Sequence, residues 1–434
     1  MDALGRECDN QHKPASCDHF RIVSFISTYL ESKKVSSGRP GSVTALEQDD
    51  RRESDESPKS DNSSRNHQRT CTRDSGSDRP ADHPPSHASI PESSNYPVFR
   101  ISLAKLLSND EAELQRLLNA SRELGAFYLD LQRTDLGKNI LKDVDKMFLL
   151  GERLFGLSAH EKEKYNMDKF GGYYGYKGYF NRMLDLKEFY AVSKDDILSI
   201  PCPKTAYKSQ PVLPQPSTIQ SARPLIYSYI ELSHAIITIL LRHLTTLLRL
   251  PTGTLENLHR QSACSGDQVR WIKILPSREE RMDPRDRILL DEHSDFNSIT
   301  LLFNNLGGLE IRQPCPAERA SGVDGEEVDS APVRWIQAGP VPGHCIIHLG
   351  EQIARLSSGA FRASVHRVCA FPSQERSGPR YSLVYFARPE DNVILQQLEG
   401  IPVVPQPRSL HKLWVAKATG KRIGWIARWT KGWK

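Results

Sequence analysis

Cysteine is sparse and scattered, with 8 in 434 residues and no Cys-x-x-Cys pair. That spacing excludes a dense disulfide framework and fits a reducing, cytoplasmic setting. Charge of one sign is also scarce, since 58 Lys and Arg stand against 53 Asp and Glu for a net charge of +5. This balance gives no footing for a nucleic-acid partner. Long apolar runs are missing: the longest, Ala235 to Leu250, contains Arg242, His243 and Arg249 and stops at Pro251. A bilayer span needs roughly 20 mostly apolar residues, so this run reads as a buried helix and no membrane span is expected. No basic segment followed by an apolar core opens the chain, so a secretory signal is not indicated. No P-loop or dinucleotide glycine pattern joins a strand to a helix, which argues against ATP and NAD.

What is present divides unevenly along the chain. The hydrophobic fraction of 38% is low for a wholly compact enzyme, as if a polar segment diluted an ordinary core. Residues 1–94, rich in Ser, Asp, Arg, Pro and His around one apolar island (Phe20 to Leu30), are expected to be a largely disordered leader. Residues 95–225 form an expected helical and mixed support domain. Within it, Asn109 to Leu124 carries a cap residue, early acids and a helical apolar stripe, and Gly125 stops it before the strand-like Ala126 to Asp130. A second helix is expected from Gly137 to Phe155. The Gly- and Tyr-rich stretch Gly171 to Phe180 suits a packed surface loop, with substrate contact as the sharper reading.

Asp185 to Val192 reads as a strand, and six prolines between Pro201 and Pro224 mark an irregular connection. Residues 226–265 are expected to hold a long core helix and a linker. Residues 266–400 show short strand-like runs punctuated by Gly and Pro, as in an all-β sandwich or barrel. Glu318 to Ala331 within them reads as an exposed loop. Residues 401–434 are a basic extension in which Trp414, Trp425, Trp429 and Trp433 stand among Lys and Arg without acids after Leu410. A solvated terminus or a terminal helix is the expected form.

The residues that could carry chemistry lie in the β-rich part. In His293-Ser294-Asp295 an extended backbone would send the imidazole and the carboxylate to one side. The pattern is short, and its weight comes from a third group downstream, His366 in Phe361 to Val368. Two neutral imidazoles and one carboxylate on one face of a metal, with the opposite face open, is what an iron(II) oxygenase needs. His344 and His348 suggest a rival metal site, but Pro342, Gly343 and the surrounding Val and Ile favour strand, with packing roles. Cys345 and Cys369 read as inert thiols.

With these residues the chain resembles the iron(II)- and 2-oxoglutarate-dependent dioxygenase superfamily, in the branch that includes isopenicillin N synthase. That branch has His-x-Asp, a distant His, and a later Arg-x-Ser that binds the far carboxylate of 2-oxoglutarate. Here they match His293 and Asp295, His366, and Arg380-Tyr381-Ser382. The resemblance continues through Ser298 to Phe303, Gly307 to Ile311, Leu349-Gly350-Glu351 and Ser358 to Val368, and covers about residues 95 to 400. If extended, Arg380 and Ser382 would share one face, where a guanidinium can grip a carboxylate.

Two departures stand out. Lys273-Ile274-Leu275-Pro276 places Leu275 where relatives carry a tyrosine that helps hold the cosubstrate. His348-Leu349-Gly350-Glu351 replaces the usual Asn-x-Gly-Asp.

The resemblance implies a mainly β fold with helical support, a distorted double-stranded β-helix (jelly roll). It implies Fe(II), 2-oxoglutarate and O2 as cofactors, with ascorbate as a reductant. The implied enzyme hydroxylates, desaturates or cyclises a small-molecule substrate of specialised, fungal-type metabolism and releases succinate and CO2. The rivals are a 2-oxoglutarate-independent iron oxidase, an inactive binding protein of the same fold, and a zinc hydrolase.

Overall fold

A computed structural model describes residues 98–170, 173–178, 187–203, 210–275, 288–314, 333–370 and 378–402. The leader (1–94), the loop from Glu318 to Ala331 and all but the first residues of the C-terminal extension lie outside them. Twelve strands are described: β1 (Arg100–Ser102), β2 (Ala126–Asp130), β3 (Gly175–Gly178), β4 (Lys187–Ser193), β5 (Gln268–Ile274), β6 (Ile288–Ser294), β7 (Ile299–Asn304), β8 (Leu309–Gln313), β9 (Arg334–Gln337), β10 (His344–Leu349), β11 (Val365–Cys369) and β12 (Arg380–Ala387). They form an eight-stranded sheet, β1-β2-β10-β7-β12-β5-β4-β3, and a four-stranded sheet, β6-β11-β8-β9. Only β1 and β2 pair in parallel among these.

This corrects the expectation of a mainly β jelly roll. Among the described residues helix accounts for 37% and strand for 28%, and the two sheets do not close into a barrel. The reason is topological. Strands from the first half of the chain, β1 to β4, flank both sides of the β-rich part's strands and extend one open sheet. Four helices matter below: α1 (Glu111–Glu123), α2 (Asp135–Phe155), α3 (Arg223–Leu247) and α4 (Glu351–Leu356).

Local chemistry sets the helix ends. Asp110 accepts from the Glu113 N–H and starts α1, while Thr134 accepts from the Gly137 N–H and starts α2. Helix α3 is long and apolar enough to cross a membrane by length and composition alone. Its Ile226, Tyr229, Ile230, Ile237 and Leu240 are instead buried in the protein, where it packs on α2 and β12. The Trp271 indole on β5 donates to the Met147 carbonyl of α2 at 2.8 Å, which ties helix to sheet.

Strand β7 is covered on both faces. Ile299, Leu301 and Phe303 join the large core beneath α2 and α3. Alternate residues turn the other way, and Leu302 packs with Ile346, Val384, Leu309, Ile311 and Val368 in a second core between the sheets.

The Gly- and Tyr-rich stretch is not simply a surface loop. Its residues 175–178 form β3 on β4 at the sheet edge, and Tyr173, Tyr174 and Tyr176 are buried. The scattered cysteines include one bonded pair, Cys202–Cys264. Cys345 is free and buried, and Cys369 is free and half-buried.

Candidate active site

The antiparallel pairing of β6 with β11 sets His366 directly opposite His293. Their ring centroids are 4.4 Å apart. Asp295 follows at the end of β6, and its Oδ1 lies 4.0 Å from His293 Nε2 and 3.9 Å from His366 Nε2. The donor atoms of His293, Asp295 and His366 all fall within 4.8 Å of one another. Sequence-distant residues thus meet at one point.

The ring orientations decide what that point suits. His293 Nδ1 lies 2.8 Å from the Asp291 carbonyl and His366 Nδ1 lies 3.3 Å from the Ser364 carbonyl. A carbonyl only accepts, so each Nδ1 carries the proton and each Nε2 presents a lone pair. Two lone pairs and a carboxylate oxygen facing one another repel unless a cation lies between them. Burial pushes the His366 imidazole well down, and His348 and His293 push it further. Burial would raise the Asp295 carboxyl, but His366, His293 and His348 outweigh it and hold the group below the usual carboxylate range. Two neutral nitrogens and one anionic oxygen fit a ferrous ion.

Supporting contacts hold this set. Asp295 Oδ2 accepts from the Thr300 hydroxyl at 2.5 Å. The turn after Asp295 is clasped by the start of α4: the Gly350 N–H donates to Ser298 and the Glu351 N–H to the Asp295 carbonyl. Ser294 donates to Glu351 Oε1 at 2.6 Å. A Cβ at Gly350 would lie 2.1 Å from the Asn297 carbonyl oxygen, so the close approach requires glycine. His348 stacks on His366 and its Nδ1 meets the Ser364 hydroxyl at 3.0 Å. His344, at the other end of β10, bonds instead to the Pro342 carbonyl, so the two histidines form no rival site.

The second cluster lies where β12 pairs with β7 and β5. Arg380 is 2% exposed; its Nε donates to the Gly307 carbonyl at 2.8 Å and its Nη1 to Ser382 Oγ at 2.7 Å. Burial pushes its pKa down to about 10, which leaves it charged at neutral pH. Among the described residues no carboxylate pairs with it. A buried, uncompensated guanidinium is costly and calls for an anion. Ser382 in turn donates to Asn304 Oδ1 at 2.7 Å. Leu275 is at the surface, and the strand partner of Arg380 is Ile274.

All five site residues read from the sequence therefore fall into two clusters on the inter-sheet side. Thr300 and Asn304 went unread, although both alternate with Leu302 on β7, and polar residues at alternate positions of an otherwise apolar strand were the available signal.

Comparison with known proteins agrees with this geometry. Residues 96–215 match the family described as non-haem dioxygenase in morphine synthesis N-terminal, and residues 267–389 match the 2OG-Fe(II) oxygenase superfamily. A 2-oxoglutarate-dependent dioxygenase of Aspergillus fumigatus is 29% identical over 307 residues, covering 70% of this chain and 78% of its own. The 2-oxoglutarate-dependent dioxygenase frbH of a Dothideomycetidae species is 28% identical, covering 69% of this chain and 84% of its own. The fold is similar to that of a full-length Neurospora crassa protein in complex with alpha-KG and thymine, with TM-score 0.56, 18% identity, and 74% and 96% of the two chains covered.

The chain belongs to the 2OG-Fe(II) oxygenase superfamily. It is an oxidoreductase that uses iron(II) and 2-oxoglutarate and acts on small molecules.

Proposed function

We propose that His293, Asp295 and His366 hold the iron(II), and that Arg380 and Ser382 hold the far carboxylate of 2-oxoglutarate. The observation that carries this reading is the buried Arg380 guanidinium, without an anionic partner among the described residues, on the face of its sheet that turns toward the three converging ligands of the other sheet. Bound iron(II) supplies oxygen activation coupled to decarboxylation of 2-oxoglutarate to succinate and CO2.

The chain's own residues do the rest. Asp295 neutralises one of the ion's two charges and leaves the other for an anionic cosubstrate. The Asp291 and Ser364 carbonyls keep both Nε2 atoms free to ligate. Leu302, Ile346 and Val384 line the space between the clusters with apolar surface, which excludes water from the reacting centre.

Within the superfamily we place the chain in the isopenicillin N synthase-like branch. The order of its two family matches, an N-terminal dioxygenase region followed by the oxygenase region, supports this. The substrate class we infer is an apolar or partly aromatic small molecule of specialised metabolism, which is hydroxylated, desaturated or cyclised. The fungal dioxygenases among the relatives support that class.

Oxygen uptake and succinate formation by the purified, iron-loaded protein over a panel of small apolar compounds test the reading. Substrate-dependent succinate supports it. Oxygen uptake without succinate would instead indicate an oxidase that does not use 2-oxoglutarate.

A further inference from the structure

We propose that Asn304 donates beside Arg380 to the far carboxylate of 2-oxoglutarate, supplying the hydrogen bond that Leu275 does not, with Ser382 linking the two side chains. This rests on the assignment of the Arg380–Ser382 pair to that carboxylate, with Arg380 as its charged donor. The argument begins with the direction of the hydrogen bonds. A guanidinium only donates, so Arg380 Nη1 gives its proton to Ser382 Oγ. The Ser382 hydroxyl then sends its own proton to Asn304 Oδ1. In this arrangement the Asn304 oxygen faces Ser382 and its nitrogen faces away from it.

The nitrogen is left without a partner. Asn304 is 8% exposed, and its Nδ2 is fully buried and has no hydrogen-bond partner among the described residues. Buried donors are almost always satisfied, so one held beside a charged Arg380 by a directed hydrogen-bond chain points to an acceptor that arrives with a ligand. The acceptor must also suit the guanidinium, which makes it an anionic oxygen.

Register places this donor on the right side of the sheet. Asn304 is the direct partner of Ser382 across β7 and β12. On β7, Asn304, Leu302 and Thr300 share one face, and Thr300 holds Asp295. One strand face therefore runs from the metal ligands to the guanidinium, over a backbone span of about 13 Å that the side chains shorten from both ends. The other neighbouring strand offers nothing polar here, since β5 sets Ile274 opposite Arg380 and Ile272 opposite Ser382.

The test uses the iron(II)-loaded full chain under anaerobic conditions, with the visible absorption of the chelate as readout. Two ligands are titrated: 2-oxoglutarate, and 2-oxovalerate, which has the same carbon count without the far carboxylate. Asn304→Leu is expected to raise the Kd for 2-oxoglutarate about tenfold, as for a lost hydrogen bond to a charged group. It should leave the Kd for 2-oxovalerate and for iron within about twofold of wild type. Asn304→Asp should weaken 2-oxoglutarate further through like charge.

Equal weakening of both acids in Asn304→Leu, or no weakening of 2-oxoglutarate, overturns the proposal. If Asn304→Leu does not fold, Asn304→Ala is read by the same ratio. Arg380→Ala separates the two layers: if it too leaves 2-oxoglutarate binding intact, the parent assignment fails, and if it alone weakens binding, only the role of Asn304 fails.

Discussion

His348 lies face to face with His366, their ring centroids 4.3 Å apart and their planes 26° from parallel. Ser364 links the two rings a second time, its hydroxyl meeting His348 Nδ1 and its carbonyl meeting His366 Nδ1. Replacing His348 by Asn should keep the fold but loosen the third ligand. We expect iron(II) affinity to fall about tenfold, in line with changes to groups that orient metal ligands. Iron titration of His348→Asn checks this, and an unchanged affinity would show that the stacking only fills space.

Thr300 offers a test on the carboxylate. Its hydroxyl is 2.5 Å from Asp295 Oδ2, and Thr300→Val keeps the shape while removing that donor. Iron(II) affinity should fall about ten- to a hundredfold, with thermal stability little changed. A large drop in Tm with normal iron binding would assign Thr300 to packing instead.

Which parts of this were legible beforehand follows from distance along the chain. His293 and Asp295 sit two apart on one short stretch, as do Arg380 and Ser382, so local alternation exposes them. Thr300 and Asn304 gain their meaning only from register, because nothing local says that Asn304 pairs with Ser382. The expectation of a mainly β jelly roll fails for the same reason. Tyr128 pairs with Ile346 and Tyr190 with Trp271, so early strands enlarge a sheet whose extent the β-rich part alone does not reveal. Helices α1 and α2 are readable from apolar periodicity, α1 also from its cap residue, and α3 from its long apolar run, yet their weight against the strands is not.

Gly151 on α2 faces the Trp271 ring, and a Cβ there would lie 2.7 Å from it. Ordinary helix propensity favours almost any other residue at this position. The clash should dominate for a branched side chain, and we expect Gly151→Val to destabilise the protein by about 1–3 kcal/mol. Chemical denaturation measures it, and a stabilised variant would mean that helix and sheet are less closely packed here.

His259 gives a pH dependence away from the metal ligands. Its Nδ1 is 2.7 Å from the Leu255 carbonyl and its Nε2 is 2.7 Å from the Ser298 hydroxyl. A neutral ring satisfies both, and burial pushes its pKa down to about 4. In the unfolded chain a histidine titrates near ~6.5. Above that value the group adds nothing to the pH dependence. As pH falls from about 6.5 to 4, the unfolded state takes up the proton first and native stability declines, by about 3 kcal/mol at most. His259→Gln, which can still donate and accept, should flatten the stability profile over this range, and an unaltered slope would remove His259 from the account.

The most direct measurement is an anaerobic iron(II) titration with and without 2-oxoglutarate, following the chelate's visible absorption in wild type, His366→Ala and Arg380→Ala. Wild type should bind iron and develop the band when 2-oxoglutarate is added. His366→Ala should lose iron binding, whereas Arg380→Ala should keep iron and need far more 2-oxoglutarate to form the band. Variants that both titrate like wild type would contradict the assignment of iron to His293, Asp295 and His366 and of the cosubstrate to Arg380.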